Sequence, residues 1–174
     1  MKCLFVCLGN ICRSPTAEGV FRHKLTQLGK SNKIHCDSAG TSAWHIGSPP
    51  DERSIRHALK RGYDLSAQRA RQVTANDFLE FDIIFAMDKQ NLRELQELRR
   101  QAASAPGSPE GCSQLSLFLA PPGGPLPRDE VPDPYHLGAE GFEEVLDLIE
   151  CASDRWITHL LKRKNAEPSH SDVS

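Results

Sequence analysis

Short apolar runs alternate along this chain with longer stretches whose apolar positions recur every three or four residues. That alternation predicts an α/β fold. Lys2–Cys7 reads as the first strand and is closed by Gly9-Asn10. Ser14-Pro15 then offers a helix start, with Ser as N-cap and Pro at the first helical position. Ala17, Val20, Phe21, Leu25 and Leu28 share one face of that helix, and Gly29 stops it. A second strand is predicted over residues 33–38. Ser48-Pro49-Pro50-Asp51 opens a helix that carries Ile55, Ala58 and Leu59 and ends at Gly62. Residues 82–87 are nearly all apolar, the pattern of a central parallel strand covered on both faces. The helix after them aligns Leu92, Leu95 and Leu98. Residues 101–128 are rich in Pro, Gly and Ser and read mostly as loop, with a last strand at 115–119. A closing helix over 138–164 puts Phe142, Val145, Leu146, Ile149, Trp156, Leu160 and Leu161 on one stripe. The expectation is one domain over residues 1–164, without internal repeats, and a polar, disordered tail over 165–174.

Composition leaves this picture standing. The chain has 174 residues, 39% hydrophobic and 25% charged, which is one domain's size and an ordinary globular make-up. A net charge of −2 gives no global reason to expect nucleic acid or an anionic membrane as partner, so any anion site has to be local. No stretch approaches the roughly 18 apolar residues of a membrane span. The apolar opening stops at Gly9-Asn10, before a signal-peptide core would form, and a cytoplasmic location is expected. The six cysteines are scattered, with no C-x-x-C pair and no zinc spacing. In a reducing compartment Cys3, Cys36 and Cys151 read as small buried hydrophobes. Cys112 lies in a polar loop and carries no reading.

Cys7 and Cys12 fall in a different setting, Cys7-Leu8-Gly9-Asn10-Ile11-Cys12-Arg13-Ser14, where the first strand hands over to the first helix. The carboxyl end of a parallel strand followed by a helix N-terminus suits an anion, because free N–H groups and the helix dipole both point there. Gly9 lets the backbone turn so that successive N–H groups line a nest. No G-K-[ST] follows, so this is not a nucleotide loop. The nest instead has a thiol at its start and a guanidinium six residues on. Arg13 can hold two phosphate oxygens in its planar fork. The same positive field favours thiolate at Cys7, beneath a bound phosphate and placed for in-line attack on phosphorus. Ser14 suits two compatible tasks, a plain N-cap or a hydrogen bond to the Cys7 sulfur.

Expelling a phenolic oxygen also needs a proton donor across the phosphate. Asp133, in Val131-Pro132-Asp133-Pro134-Tyr135, is the candidate, with two prolines stiffening its loop. Alone, Asp-Pro is an ordinary surface turn. Together, the early C-L-G-N-I-C-R-S-P run and the late D-P-Y resemble the low-molecular-weight protein tyrosine phosphatase family. The resemblance extends through Asp37–Ser42, Ile46–Asp51, Arg71–Thr74 and Met87-Asp88, nearly the whole chain apart from the loop after Gln101 and the tail.

The resemblance implies a Rossmann-like domain with a four-stranded parallel sheet flanked by helices on both faces, and no metal or cofactor. It implies Cys7 as nucleophile, Arg13 as phosphate clamp and Asp133 as acid and then base. Gly9, Asn10, Ile11, Cys12 and Ser14 would line the cradle. Asn10, Ser14 and Ser38 would shape it, with Gln68 where the family usually carries histidine. Leu8, Trp44 and Tyr135 would grip a substrate ring. The implied partners are tyrosine-phosphorylated proteins, with inorganic phosphate as product, and the chain is expected to be a monomer or weak dimer.

Three competing readings can be weighed. An arsenate reductase of the same fold needs further cysteines beyond the third strand, and residues 85–101 contain none. A protein arginine phosphatase carries threonine where this chain has Ile11, and an apolar Ile11 beside Leu8 favours a phenyl ring. A non-catalytic phosphate-binding module would be expected to lose Cys7 or Asp133. Because a reactive thiolate is also open to oxidation, Cys12 is expected to capture oxidised Cys7 as a reversible disulfide. The basic residues Arg53, Arg56, Lys60, Arg61, Arg69 and Arg71 read as a solvated surface.

Overall fold

A computed structural model describes residues 1–104 and 113–166. Cys112 and the part of the predicted tail beyond Ala166 lie outside the described residues. The elements run β1 (Lys2–Cys7), α1 (Arg13–Gln27), β2 (His35–Gly40), α2 (Glu52–Lys60), α3 (Asp77–Glu80), β3 (Ile83–Ala86), α4 (Lys89–Ala103), β4 (Gln114–Leu117) and α5 (Ala139–Ala166). The four strands form one parallel sheet in the order β2-β1-β3-β4.

Successive side chains of β1 go to opposite faces, and each face has its own core. Cys3, Phe5 and Cys7 pack with α1 and α5. There Phe5 lies 5.3–5.4 Å, centroid to centroid, from Phe21, Phe85 and Phe118, and Phe85 lies 4.7 Å from Trp156. Leu4 and Val6 pack on the other side with Val73, Phe78 and Leu95. The chain leaves β1 toward β2 on one side and later returns to β3 on the other. The carboxyl ends of β1 and β3 therefore flank the sheet's switch point, where parallel sheets open a crevice. Cys7 is the last residue of β1, paired in register with Gly40 of β2.

Several boundaries differ from the sequence reading for local reasons. α1 begins at Arg13, with Cys12 as a cap whose side chain does not bond the helix. Ser14 and Pro15 are thus its second and third residues. Proline is harmless there because first-turn N–H groups have no intrahelical acceptor. α2 starts at Glu52, capped by the Asp51 carboxylate, which accepts the Arg53 N–H at 2.8 Å. β2 lies two residues later than predicted, and α5 continues through residues 165–166 of the predicted tail.

The basic residues of the middle segment are not uniformly a solvated surface either. Arg61 pairs with Glu143, Asp147 and Glu150 of α5, and Arg71 with Asp37 and Asp77. No helix of the described residues is long and apolar enough to cross a membrane.

Candidate active site

The loop between β1 and α1 is shaped by what its carbonyls do. Cys7, Leu8 and Ile11 accept backbone N–H bonds from Thr41, Ser42 and Asp51 at 2.9, 2.9 and 2.7 Å, and Cys12 accepts from Thr16 at 3.3 Å. In a trans peptide the N–H points opposite its C=O, so fixing these carbonyls outward turns the N–H groups of Leu8, Gly9, Cys12 and Arg13 the other way. The left-handed residue of the loop is Asn10, at φ 55°, and not Gly9. Asparagine tolerates that conformation better than most side chains. Gly9 serves a different need, since a Cβ there would stand 3.0 Å from the His45 ring.

The Cys7 sulfur is almost fully buried and receives the Asn10 N–H at 3.3 Å. Ser14 Oγ lies 3.0 Å from it and 3.2 Å from the Ala39 carbonyl, so one hydroxyl proton can serve either acceptor. The Asn10 amide donates to both Ser14 Oγ (2.9 Å) and Ser38 Oγ (3.0 Å) and accepts the Arg71 N–H at 2.9 Å. Ser38 in turn donates to Glu18 Oε2 at 2.7 Å. Burial lifts the Glu18 carboxyl above its usual range, against the lowering pull of Ser38 and Arg22.

Arg13 is 3% exposed, and both ends of its fork are engaged. Nη1 donates to Asp88 Oδ2 at 2.6 Å and to the Val131 carbonyl at 3.2 Å, while Nη2 reaches Asp133 Oδ2 at 3.1 Å. Burial works against its charge, but Cys7, Asp133 and Asp88 outweigh it and raise the guanidinium pKa. Asp133 does form an Asp-Pro turn, its Oδ1 accepting the Tyr135 N–H at 3.1 Å. That turn aims the other oxygen at Arg13.

A pocket of about 270 Å³ collects Cys7, Leu8, Gly9, Ile11, Cys12, Arg13, Trp44, Asp133 and Tyr135, together with His45 and His136. Trp44 and Tyr135 are 75% and 43% exposed, as rim walls would be. Cys12 is buried, and burial pushes its thiol up to about 12, with a Ser54 hydrogen bond opposing. Gln68 stands apart from the network. Its amide donates to the Pro15 carbonyl at 3.1 Å, and among the described residues Asn10 is held instead by the Arg71 backbone. The sequence pattern assigns no site role to Asp88, Glu18, Arg71, Gly40 or the two histidines. Met87-Asp88, following an apolar strand, was the one signal that could have pointed to the arginine's anchor.

A parallel α/β fold with a thiol on the floor of an N–H-lined cradle defines a class of anion-handling proteins, and comparison with known proteins narrows it. The sequence profile described as low molecular weight phosphotyrosine protein phosphatase matches residues 2–108. A protein of Synechocystis sp. named for this family is 44% identical over 162 residues, 93% of this chain and 98% of its own. A protein tyrosine phosphatase from Entamoeba histolytica superposes with a TM-score of 0.83 at 38% identity, covering 94% of this chain and 99% of that one. A Drosophila arginine phosphatase superposes at 0.77 with 32% identity, covering 91% and 97%. The chain belongs to the low molecular weight phosphotyrosine protein phosphatase family, a family of enzymes.

Proposed function

We propose that this chain hydrolyses phosphotyrosine in proteins through a phosphocysteine formed at Cys7. The observation that carries this reading is the convergence at one pocket. The Cys7 sulfur lies beneath the Asn10 N–H, and Arg13 stands across from it in contact with Asp133. Substrate phosphate takes the place of Asp133 on Arg13 Nη2, and Asp133 takes up a proton from solvent as it leaves the guanidinium, which Asp88 keeps in place. The Cys7 thiolate attacks phosphorus, and the P–O bond to tyrosine breaks. The departing oxygen takes a proton from Asp133. Water then attacks the phosphocysteine, giving its proton back to Asp133. The sulfur leaves as thiolate, met by the Ser14 hydroxyl, which turns from Ala39 to Cys7. Inorganic phosphate is released.

Leu8, Ile11, Trp44 and Tyr135 grip the ring, and their apolar faces favour an aryl over a guanidino phosphate. Trp44 and Tyr135 stand above the floor, so a short phosphoserine side chain does not bring its phosphate down to Cys7. Cys12 acts as a redox partner for Cys7, and the protein works in the cytoplasm as a monomer or weak dimer.

The test is hydrolysis of an aryl phosphate in chelator-treated buffer. Cys7→Ser should melt like the wild type, bind a phosphotyrosine peptide and release no phosphate. Turnover by the pure variant at even a few per cent of wild type would sink the mechanism.

A further inference from the structure

A second arginine joins the cradle to the outer wall without entering the reaction. Arg53, in the first turn of α2, donates from Nε and Nη2 to the Asp51 carboxylate at 3.0 and 2.8 Å. Its remaining nitrogen, Nη1, crosses 82 residues of sequence to the Tyr135 carbonyl at 3.0 Å. The guanidinium carbon lies 5.3 Å from the Tyr135 ring centroid and 4.9 Å from that of Phe142, within range of a cation–π contact with both. Phe142 is itself stacked on His57, 5.6 Å away and 12° from parallel.

Both hydrogen-bond partners of Arg53 have a second attachment that leads into the site. The Asp51 N–H donates to the Ile11 carbonyl of the cradle at 2.7 Å. The Tyr135 N–H donates to Asp133 Oδ1 at 3.1 Å. One planar side chain thereby spans from the loop that would hold phosphate to the loop that carries the acid and the wall. The Asp51–Arg53 pair alone would mean little, since two partly exposed neighbours in sequence form an ion pair of small net worth. The contact with Tyr135 is long-range and uses a fork that lysine lacks. It also answers a physical need, because a 43% exposed ring left free would have to be ordered each time a substrate ring docks on it.

We propose that Arg53 is a positioning residue that presets the Tyr135 wall against the cradle, tuning affinity for aryl phosphates while leaving affinity for phosphate itself unchanged. This rests on the phosphotyrosine reading above. Asp133 retains its bond to Arg13 without Arg53, so the wall loosens before the acid does.

The experiment compares wild type, Arg53→Ala and Arg53→Lys for turnover of a phosphotyrosine peptide and for competitive inhibition by inorganic phosphate. Arg53→Ala should raise KM about five- to tenfold, the scale of one cation–π contact plus one hydrogen bond, with kcat within about twofold. The inhibition constant of phosphate should not move. Arg53→Lys, which keeps a charge near the ring but not the fork, should recover only part of the KM. In a Tyr135→Ala background the Arg53→Ala effect on KM should vanish, which a loss of overall stability would not produce. Equal rises in KM and in the phosphate constant, an unchanged KM, or additivity with Tyr135→Ala would each overturn the proposal. An active wild type with an unaltered Arg53→Ala variant sinks this inference alone. An active Cys7→Ser sinks the reading beneath it.

Discussion

Cys7 and Cys12 are both nearly buried, at 3% and 5% exposure, yet they have different neighbours. Cys7 meets an N–H and a hydroxyl, partners that suit an anion. Cys12 is buried beside Ser54, and burial pushes its thiol up to about 12 against that hydrogen bond. That contrast governs the redox pairing proposed for them. Peroxide takes Cys7 to a sulfenic acid, and attack by the Cys12 thiolate then forms the S–S bond and expels hydroxide. With so high a pKa, the Cys12 thiolate is scarce at neutral pH and grows about tenfold per pH unit. Capture should therefore be slow at pH 6 and faster at pH 8, with over-oxidation of Cys7 winning at the lower pH. Mass spectrometry after a brief peroxide pulse reads the ratio of Cys7–Cys12 disulfide to sulfinic Cys7. Cys12→Ser should retain measurable turnover but fail to recover with added thiol. Sulfinic Cys7 beside free Cys12 at every pH would end the idea.

At the scale of elements, the cradle depends on a strand it is not part of. Gly40 ends β2 opposite Cys7, with its N–H on the Arg71 carbonyl and its C=O on the Val73 N–H. A Cβ there would stand 2.7 Å from the Leu8 oxygen and 3.1 Å from the Asn10 nitrogen, both backbone atoms of the cradle. Gly40→Ala should displace the loop by a fraction of an ångström and lower kcat/KM about a hundredfold. It should also cost about 1–3 kcal/mol of stability as overpacking. Gly138→Ala, where nothing lies within 4 Å, is the control and should change neither kinetics nor melting. Equal kinetics for the two variants would remove Gly40 from the site.

The same case shows which parts of the molecule the sequence carries. β1 is legible to the residue because its apolar run is buried throughout and ends on Gly9-Asn10. β2 and β4 are edge strands with half-exposed positions, and their apolar pattern blurs at the ends. α3, a single turn, is too short to have a period at all. Cys7, Arg13 and Ser14 lie within eight residues, so a local motif exposes them. Asp88, Arg71, Glu18 and Gly40 reach the site only through pairing across 20 to 75 residues. Spacing along the chain cannot report that. Ser14 marks the limit of local capping rules, since it lies inside the helix and turns toward sulfur, and Gln68 the limit of transferring positions, since it turns to Pro15.

For the molecule as a whole, the carboxylates divide by what folding does to them, and that division sets how stability responds to pH. Asp51 is held below its usual range by the Arg53 guanidinium, and Glu143 by His57 and then Arg61. Their contribution is present above the unfolded carboxylate pKa, about 4, and is lost as pH falls through their lower folded values. Glu18 has the opposite sign. It is 6% exposed, and burial raises its pKa despite Ser38 and Arg22. Between the unfolded value, about 4.3, and the raised folded one, the folded state binds more proton than the unfolded chain. Across that window Glu18 makes stability fall as pH rises. Glu18→Gln removes this one dependence while keeping an oxygen to accept from Ser38, so the link to Asn10 survives. It gives up the pair with Arg22, whose side chain is half exposed, a loss of about 0–1 kcal/mol. The Tm of Glu18→Gln relative to wild type should therefore climb as pH rises above the unfolded carboxylate value, as only the wild type is forced to ionise a buried carboxyl. Melting curves across that range decide it. A Tm difference that stays flat or shrinks with rising pH would mean that Ser38 and Arg22 compensate the buried charge in full.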